Sequence, residues 1–335
     1  MKVAVVILNW NGKRFLEEFL PVVLEHSRDE ADVVVADNAS EDDSVAFMRE
    51  AFPGVRLILN DSNYGFAEGY NRALAQVEAD YYVLLNSDIE VTEGWISPVI
   101  RMMEEDPRIG AAQPKLLSYH QRSHFEYAGA AGGYIDKLGY PFCRGRVFME
   151  LEEDLGQYDD IREVFWATGA CLFVRAPLYH QLGGLDADFF AHMEEIDFCW
   201  RLKNAGYRVM YHPGSTVFHI GGGTLPKSSA RKTYLNFRNN FSLLYKNLPA
   251  QRLWKVILIR LLLDGIAGIK FLLSTGLPEF LAVIRAHYSF YRSIPSLKAK
   301  RRSIQPGPVE HIYPRSLVFQ HYIRGKKKFS ELEGF

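Results

Sequence analysis

The chain has 335 residues, with 39 Lys and Arg against 40 Asp and Glu, 48% apolar residues and 24% charged ones. That balance excludes a disordered or collagen-like chain and a histone-like basic protein. It suits one large α/β domain with an appendage, or two domains.

In chain order, the first element is the apolar run Val3 to Leu8. A signal-peptide core needs about 7–15 apolar residues and a small-residue cleavage site. The run is shorter and leads into Asn9-Trp10-Asn11-Gly12, so it reads as a buried first strand. Val33–Ala36, Val55–Leu59 and Tyr81–Leu85 are likewise short and rich in β-branched or aromatic residues, and are expected to be strands. Between them, Arg14–His26, Glu41–Phe52 and Phe66–Val77 carry helical periodicity. Ser40 followed by Asp43 has the spacing of a capping box. Strand–helix repetition predicts a mainly parallel sheet with helices on both faces, whose ligand edge is at the carboxyl ends of the strands.

All four strand ends are polar: Asn9 to Gly12, Asp37-Asn38-Ala39-Ser40, Asn60 to Gly65, and Asn86-Ser87-Asp88. One such end is a turn; four at one edge favour a polar ligand. Asp88 follows a buried strand, where a carboxylate suits a hard cation such as Mg²⁺ and also suits a turn or helix cap. Asp37 also follows a strand, where it suits a cap or could accept hydrogen bonds from a nucleobase or ribose. The glycines in Asn63-Tyr64-Gly65-Phe66-Ala67-Glu68-Gly69-Tyr70-Asn71 stand at a helix start, which would welcome phosphate.

Downstream, Glu150–Asp160 reads as a solvated acidic loop. Val164–Val174 reads as a strand around Thr168-Gly169-Ala170-Cys171, and Met193–Ala205 as a helix. Tyr207–His212 and Ser215–Ile220 read as two strands joined at Pro213-Gly214. In Glu194-Glu195-Ile196-Asp197, acids in a first turn suit the helix dipole. Glu194, Asp197 and Arg201 share one face, which leaves Glu195 free to face a cleft as a general base. His192 precedes it in a structural or substrate-positioning place. His219, before Gly221-Gly222-Gly223, could ligate a metal or phosphate or satisfy a backbone carbonyl. The three cysteines, Cys143, Cys171 and Cys199, form no C-x-x-C pair, so buried thiols in a reducing cytosol are expected.

These motifs, in their order through roughly residues 2–245, resemble glycosyltransferase family 2, the inverting, metal-dependent nucleotide-sugar enzymes of the GT-A fold, and most of all its rhamnosyltransferase-like members. The resemblance rests on the strand-end motifs above, Thr168 to Cys171, Phe189-Phe190 through Asp197, and His219-Ile220-Gly221-Gly222-Gly223-Thr224. It implies a GT-A α/β fold over residues 1–250. It implies nucleotide-binding roles for Asn9, Asn11, Asp37, Asn38, Asn63, Phe66, Asn71, Asn86 and Ser87. Asp88 and His219 would hold Mg²⁺ or Mn²⁺, and the catalytic base would come from Glu195 or Glu194, with Asp197 beside them. The sequence departs from the family twice: Asn86 replaces the first Asp of the metal motif, and Glu195 stands where an Asp base is usual. The implied reaction moves a sugar, from a dTDP- or UDP-sugar such as dTDP-rhamnose, to a hydroxyl of a glycan or lipid-linked acceptor in cell-surface polysaccharide synthesis. A sugar-nucleotide nucleotidylyltransferase would need a Gly-rich, Arg/Lys-bearing loop after the first strand. An inactive sugar- or lipid-binding protein would have no need of Asp88, Glu195 and His219 together.

From residue 251 the composition changes. Residues 252–335 carry 15 basic and 5 acidic side chains, against 24 and 35 in residues 1–251. No apolar run reaches the ~18 residues of a membrane span. Residues 251–302 are expected to be a basic, amphipathic helical segment. It would lie on the cytoplasmic face of the inner membrane or pack in a hairpin or homodimer; the cations favour the membrane. No recognition motif accompanies them, so nucleic acid is not an expected partner. Residues 303–335 are expected to be an extended tail.

Overall fold

In a computed structural model, residues 1–221, 229–304 and 306–334 are described. The first half alternates strand and helix as its periodicity predicts: β1 (Val3–Asn9), α1 (Lys13–Ser27), β2 (Asp32–Asp37), α2 (Ser44–Ala51), β3 (Arg56–Leu59), α3 (Gly65–Leu74), β4 (Tyr81–Asn86), β5 (Ile89–Val91), α4 (Ser97–Glu105) and β6 (Ile109–Ser118). Short strands β7 (Gly133–Asp136), β8 (Pro141–Cys143), β9 (Arg146–Val147) and β10 (Glu150–Leu151) follow. Then come β11 (Arg162–Val164), β12 (Cys171–Arg175), α5 (Ala176–Gln181), α6 (Glu194–Asn204) and β13 (Arg208–His219). The last part holds α7 (Ala230–Asn247), α8 (Ala250–Ser274), α9 (Leu277–Ile304), β14 (Ile312–Tyr313) and α10 (Leu317–Tyr322).

The main sheet runs β11-β13-β6-β12-β4-β1-β2-β3, with β5 paired to the far end of β13. β1 to β4 are parallel, and β12 enters antiparallel between β4 and β6. β1 is buried on both faces, as its unbroken apolar run requires of a central parallel strand. Val3, Val5 and Ile7 meet α1 and α4 on one side, while Ala4 and Val6 meet α3 on the other. The register sets Asn9 level with Asp37, and Leu8 level with Asn86, so three polar strand ends finish in one row.

The structure differs from the sequence reading at several points. Ser40 is no helix cap: α2 begins at Ser44, and the Ser40 hydroxyl donates instead to Asp37 Oδ2 at 2.6 Å. The strand expected over 164–174 is interrupted: β11 ends at Val164 and β12 begins at Cys171, with residues 165–170 between them outside both strands. The expected strand pair around Pro213-Gly214 is one strand, β13. Both its halves pair with β6, and the register slips between His212 and Thr216. Proline has no N–H for a ladder, so it sits where the ladder is broken by a bulge. The acidic stretch 150–160 is partly folded in, with Asp154 2.8 Å from the Lys115 ammonium and Tyr158 buried. The last residues also pack back. β14 pairs with β7, the Leu317 N–H donates to Asp136 Oδ2 at 2.7 Å, and the Phe329 N–H donates to Glu152 Oε1 at 2.9 Å. All three cysteines are buried free thiols.

Candidate active site

The row of strand ends forms a hydrogen-bonded rim. Asp37 is buried and accepts from the Ser40 N–H (2.8 Å), the Ser40 hydroxyl and the Asn9 amide (3.1 Å). Asn11, at φ 51°, caps the next loop by accepting from the Glu41 N–H at 2.7 Å. Asn9 Oδ1 is buried without a partner, and it lies 2.3 Å from where a Cβ on Gly12 would be, so any larger residue at Gly12 would displace it. Asn38 ties the third strand end to the first turn of α3: it donates to Gly65 O (2.9 Å) and Asn63 Oδ1 (3.2 Å) and accepts from Asn60 (3.0 Å). These side chains hold the loops in shape, and Asn9 Oδ1 is the acceptor they leave over.

β5 brings the next group together. Its pairing with β13 sets Ile89 level with His219, and the Ile220 N–H donates to Asp88 O at 3.1 Å. His219 Nε2 thereby lies 3.2 Å from Asp88 Oδ1 and 3.5 Å from the Asn86 amide, while Nδ1 lies 3.2 Å from Glu126 Oε2. All three ionisable side chains are buried. Burial alone would lower the His219 pKa; the Asp88 and Glu126 carboxylates override it and raise it well above the usual histidine value. Burial would raise Asp88, but the imidazolium beside it holds it below the carboxylate norm.

The metal that the resemblance implies can be tested on this donor set. Asp88 and His219 present a carboxylate oxygen and an imidazole nitrogen side by side, and Glu126 backs the imidazole as second-layer carboxylates back metal-bound histidines. Among the described residues no group of three or more His, Cys, Asp or Glu converges as a ligand set. The pair therefore fits a cation whose remaining positions come from a diphosphate and water, the usual habit of Mg²⁺. His219 must lose a proton to join it.

On the other side stands the loop before α6. Phe190, His192 and Met193 all adopt left-handed backbone (φ 63°, 71° and 74°), which costs non-glycine residues on the order of 1–3 kcal/mol each. α7 holds the loop: the Asn239 amide donates to the carbonyls of Phe189, Ala191 and His192 at 2.8–2.9 Å, and Arg238 donates to those of Asp188 and Phe189 at 2.9 Å. The loop ends in Glu194 and Glu195, each with a buried Oε2 that has no partner. Burial pushes Glu195 up to about 7. Glu194 is raised further, by burial and by the Glu195 charge. Gly169 lies between Phe66 and Glu195, within 3.1 and 3.5 Å of a Cβ placed on it. His192 is driven down to about 4 by burial, then by Lys232.

Some residues named from the sequence stand elsewhere. Asp197 is fully buried among Lys246 (2.8 Å), Arg201 (2.9 Å) and Asn247 (2.8 Å), and faces no cleft. Asn71 clamps the 182–185 turn by exchanging hydrogen bonds with Leu185 N–H and O. The α3 N-terminus expected to favour phosphate is already filled by the Phe190 carbonyl. Asn63 and Ser87 lie at the rim, half-buried. Gly222, Gly223 and Thr224 fall outside the described residues. Glu126 and Asn239 were not legible in the sequence, because neither sits in a motif or at a strand end.

Residues 4–150 match the family model described as glycosyl transferase family 2. The N-acetylglucosaminyl-diphospho-decaprenol L-rhamnosyltransferase of Mycobacterium tuberculosis is 27% identical over 230 residues, which is 64% of this chain and 75% of that protein. The rhamnosyltransferase WbbL of Escherichia coli is 26% identical over 163 residues, 47% of this chain and 61% of that one. Among solved structures, GalNAc-T7 with UDP, GalNAc and Mn²⁺ superposes with a TM-score of 0.62 at 14% identity, over 97% of this chain and 57% of that one, and so shares its fold. Residues 4–150 of the chain thus resemble glycosyl transferase family 2, and the proteins the chain is similar to include two named rhamnosyltransferases.

Proposed function

We propose that the protein transfers a sugar, rhamnose by analogy with its named relatives, from a nucleotide-diphosphate donor to a hydroxyl of a glycan or lipid-linked saccharide, with inversion, in cell-surface polysaccharide synthesis. The single observation that carries this reading is the buried Glu126–His219–Asp88 chain at the carboxyl edge of the sheet, with the two unpartnered Glu carboxylates on the neighbouring loop.

In this reading the nucleotide lies along the strand ends, against Asn9 Oδ1, Asp37 and the loops that Asn11, Asn38 and Asn63 hold. Phe66 and Asn86-Ser87 border the donor, and Asn71 acts from behind by fixing the 182–185 turn. Asp88 and His219 would hold Mg²⁺ or Mn²⁺, which would supply neutralisation of charge on the leaving diphosphate. Glu195 receives the acceptor's hydroxyl proton on Oε2. The hydroxyl oxygen bonds to the anomeric carbon from the face opposite the diphosphate, whose bond to that carbon breaks. A base with a pKa of about 7 is matched to that task near neutrality. Glu194 is the more buried of the pair, which favours Glu195 as the base.

The test is thermal denaturation of the whole chain with UDP-, dTDP- and GDP-sugars, each with and without Mn²⁺. A rise in Tm with one donor that depends on Mn²⁺ is expected. If no nucleotide sugar stabilises the protein, the transferase reading fails.

A further inference from the structure

Helices α8 and α9 are built with charge inside and hydrocarbon outside. The inward face of α8 carries Arg260 and Asp264, both buried. Arg260 donates to Leu138 O at 3.0 Å and stacks 3.9 Å above the Tyr140 ring, and His287 of α9 lies 3.3 Å from Asp264. The outward face carries Leu258, Leu262, Ile266, Ile269 and Leu273, spaced four, four, three and four residues apart on one helical stripe. Leu262 is 73% exposed and Leu273 83%. α9 repeats the pattern with exposed Leu277, Leu281, Ile284, Tyr288 and Tyr291. α10 extends the face: Lys270 lies 5.1 Å above the Tyr322 ring, and Phe319, Tyr322 and Ile323 are exposed beside it. A continuous apolar face of this extent is not what a monomer leaves in water.

The charges around it choose the occupant. Lys255, Lys270, Arg285 and Arg292 are exposed along the two helices, and Lys326, Lys327 and Lys328 follow α10. Glu279 is the sole carboxylate of α9, and the sole one of α8, Asp264, is buried inward. A groove of about 460 Å³ between α7 and α9 is lined by Tyr234, Arg285, Tyr288, Ser289, Arg292 and Ser293, with two guanidiniums and no carboxylate. A second copy meeting this face about a two-fold axis would set cations against cations. An anionic lipid surface offers both the hydrocarbon and the phosphates that the face lacks. No helix among the described residues is long and apolar enough to cross a membrane, so the face would lie on the bilayer, not in it.

We propose that the α8–α9–α10 face docks the protein flat on an anionic membrane, its leucine stripes in the interface and Arg285 and Arg292 on lipid phosphates. This stands apart from the sugar-transfer reading. The test is co-sedimentation of the full chain with vesicles of phosphatidylcholine alone or mixed with phosphatidylglycerol, alongside its solution mass. Binding to the mixed vesicles alone, weakened by salt, is expected. The double variant Leu262→Glu, Ile269→Glu should abolish binding, and Arg285→Glu with Arg292→Glu should weaken it at least about tenfold, each with an unchanged far-UV spectrum. No binding to mixed vesicles, equal binding to neutral ones, or a dimer that the Leu262→Glu, Ile269→Glu variant turns into a monomer would each overturn the proposal.

Discussion

The Phe190 carbonyl accepts hydrogen bonds from the Phe66 N–H at 2.7 Å and the Ala67 N–H at 3.3 Å. The loop that carries Glu194 and Glu195 is thereby plugged into the first turn of α3. Gly65 makes the approach possible: at φ 72°, a Cβ there would sit 2.6 Å from the Phe190 carbonyl oxygen. From the opposite side Asn239 gathers three carbonyls of the same loop. The loop is strained and held from both ends, so Glu194 and Glu195 start α6 from a fixed backbone.

Asn239→Ala is therefore expected to lower kcat by about 10–100-fold with little change in donor KM, since a small displacement of a positioned group is enough for such losses. It should also lower stability by about 1–3 kcal/mol through the carbonyls left unpaired. Steady-state kinetics beside urea denaturation checks both. A loss confined to stability would make Asn239 a structural residue only.

Asp88→Ala is expected to reduce transfer by about 10²–10³-fold while the protein stays folded, the usual cost of losing charge stabilisation at a leaving group. Glu126→Gln separates the ligand from its support. It should leave Asp88 and His219 in place yet weaken Mn²⁺ binding by about 10–100-fold, as loss of a second-layer carboxylate does. Calorimetric titration of Mn²⁺ in the presence of UDP reads this directly, and equal affinity in variant and parent would remove Glu126 from the site.

Much of this geometry was legible in the sequence, and what was not has physical reasons. The polar residues that follow β1, β2 and β4 were readable because parallel strands align their carboxyl ends, so chain order alone places Asn9, Asp37 and Asp88 at one edge. Glu126 was not, because it comes from the irregular stretch after β6, where no period predicts a side chain's direction. Asn239 lies inside an ordinary amphipathic helix and differs from a surface Asn only through three carbonyls some fifty residues away in sequence. Asp197, named with the catalytic set from the sequence, lies in the buried cluster of Lys246, Arg201 and Asn247. It stands two residues after Glu195 in a helix, and that rotation turns it to the opposite face.

Glu195 gives a pH signature. Burial raises its folded pKa to about 7, above the ordinary value of 4.5. As a base it must be ionised, so kcat/KM is expected to rise from pH 6 to pH 8 and level off above. The stability effect has the opposite sign. A carboxyl with a raised folded pKa holds its proton more tightly folded than unfolded, so stability falls as pH rises from 4.5 through 7. Glu195→Gln should thus be inactive yet melt higher than the parent at pH 8, with the gap closing by pH 4.5. A variant that melts lower at pH 8 would refute the buried-carboxylate account.

Asp197 has the reverse profile, and its substitution discriminates structure from catalysis within one helix. Its carboxylate is fully buried between the Lys246 ammonium and the Arg201 guanidinium, with Asn247 donating at 2.8 Å. Lys246 also reaches Asp186, which joins α6 and α7 to the turn before the Phe190–Met193 loop. Burial would raise the Asp197 pKa, but Lys246 and then Arg201 hold it below the carboxylate norm. Removing one partner of a buried pair leaves the other charge uncompensated, at a typical cost of about 3–5 kcal/mol. Asp197→Ala is thus expected to lower the urea midpoint sharply, while protein that remains folded in the cold keeps its donor KM. Asp197→Asn, which keeps the hydrogen bonds but not the charge, should fall between. An Asp197→Ala protein with parental stability and no turnover would return this residue to the catalytic set.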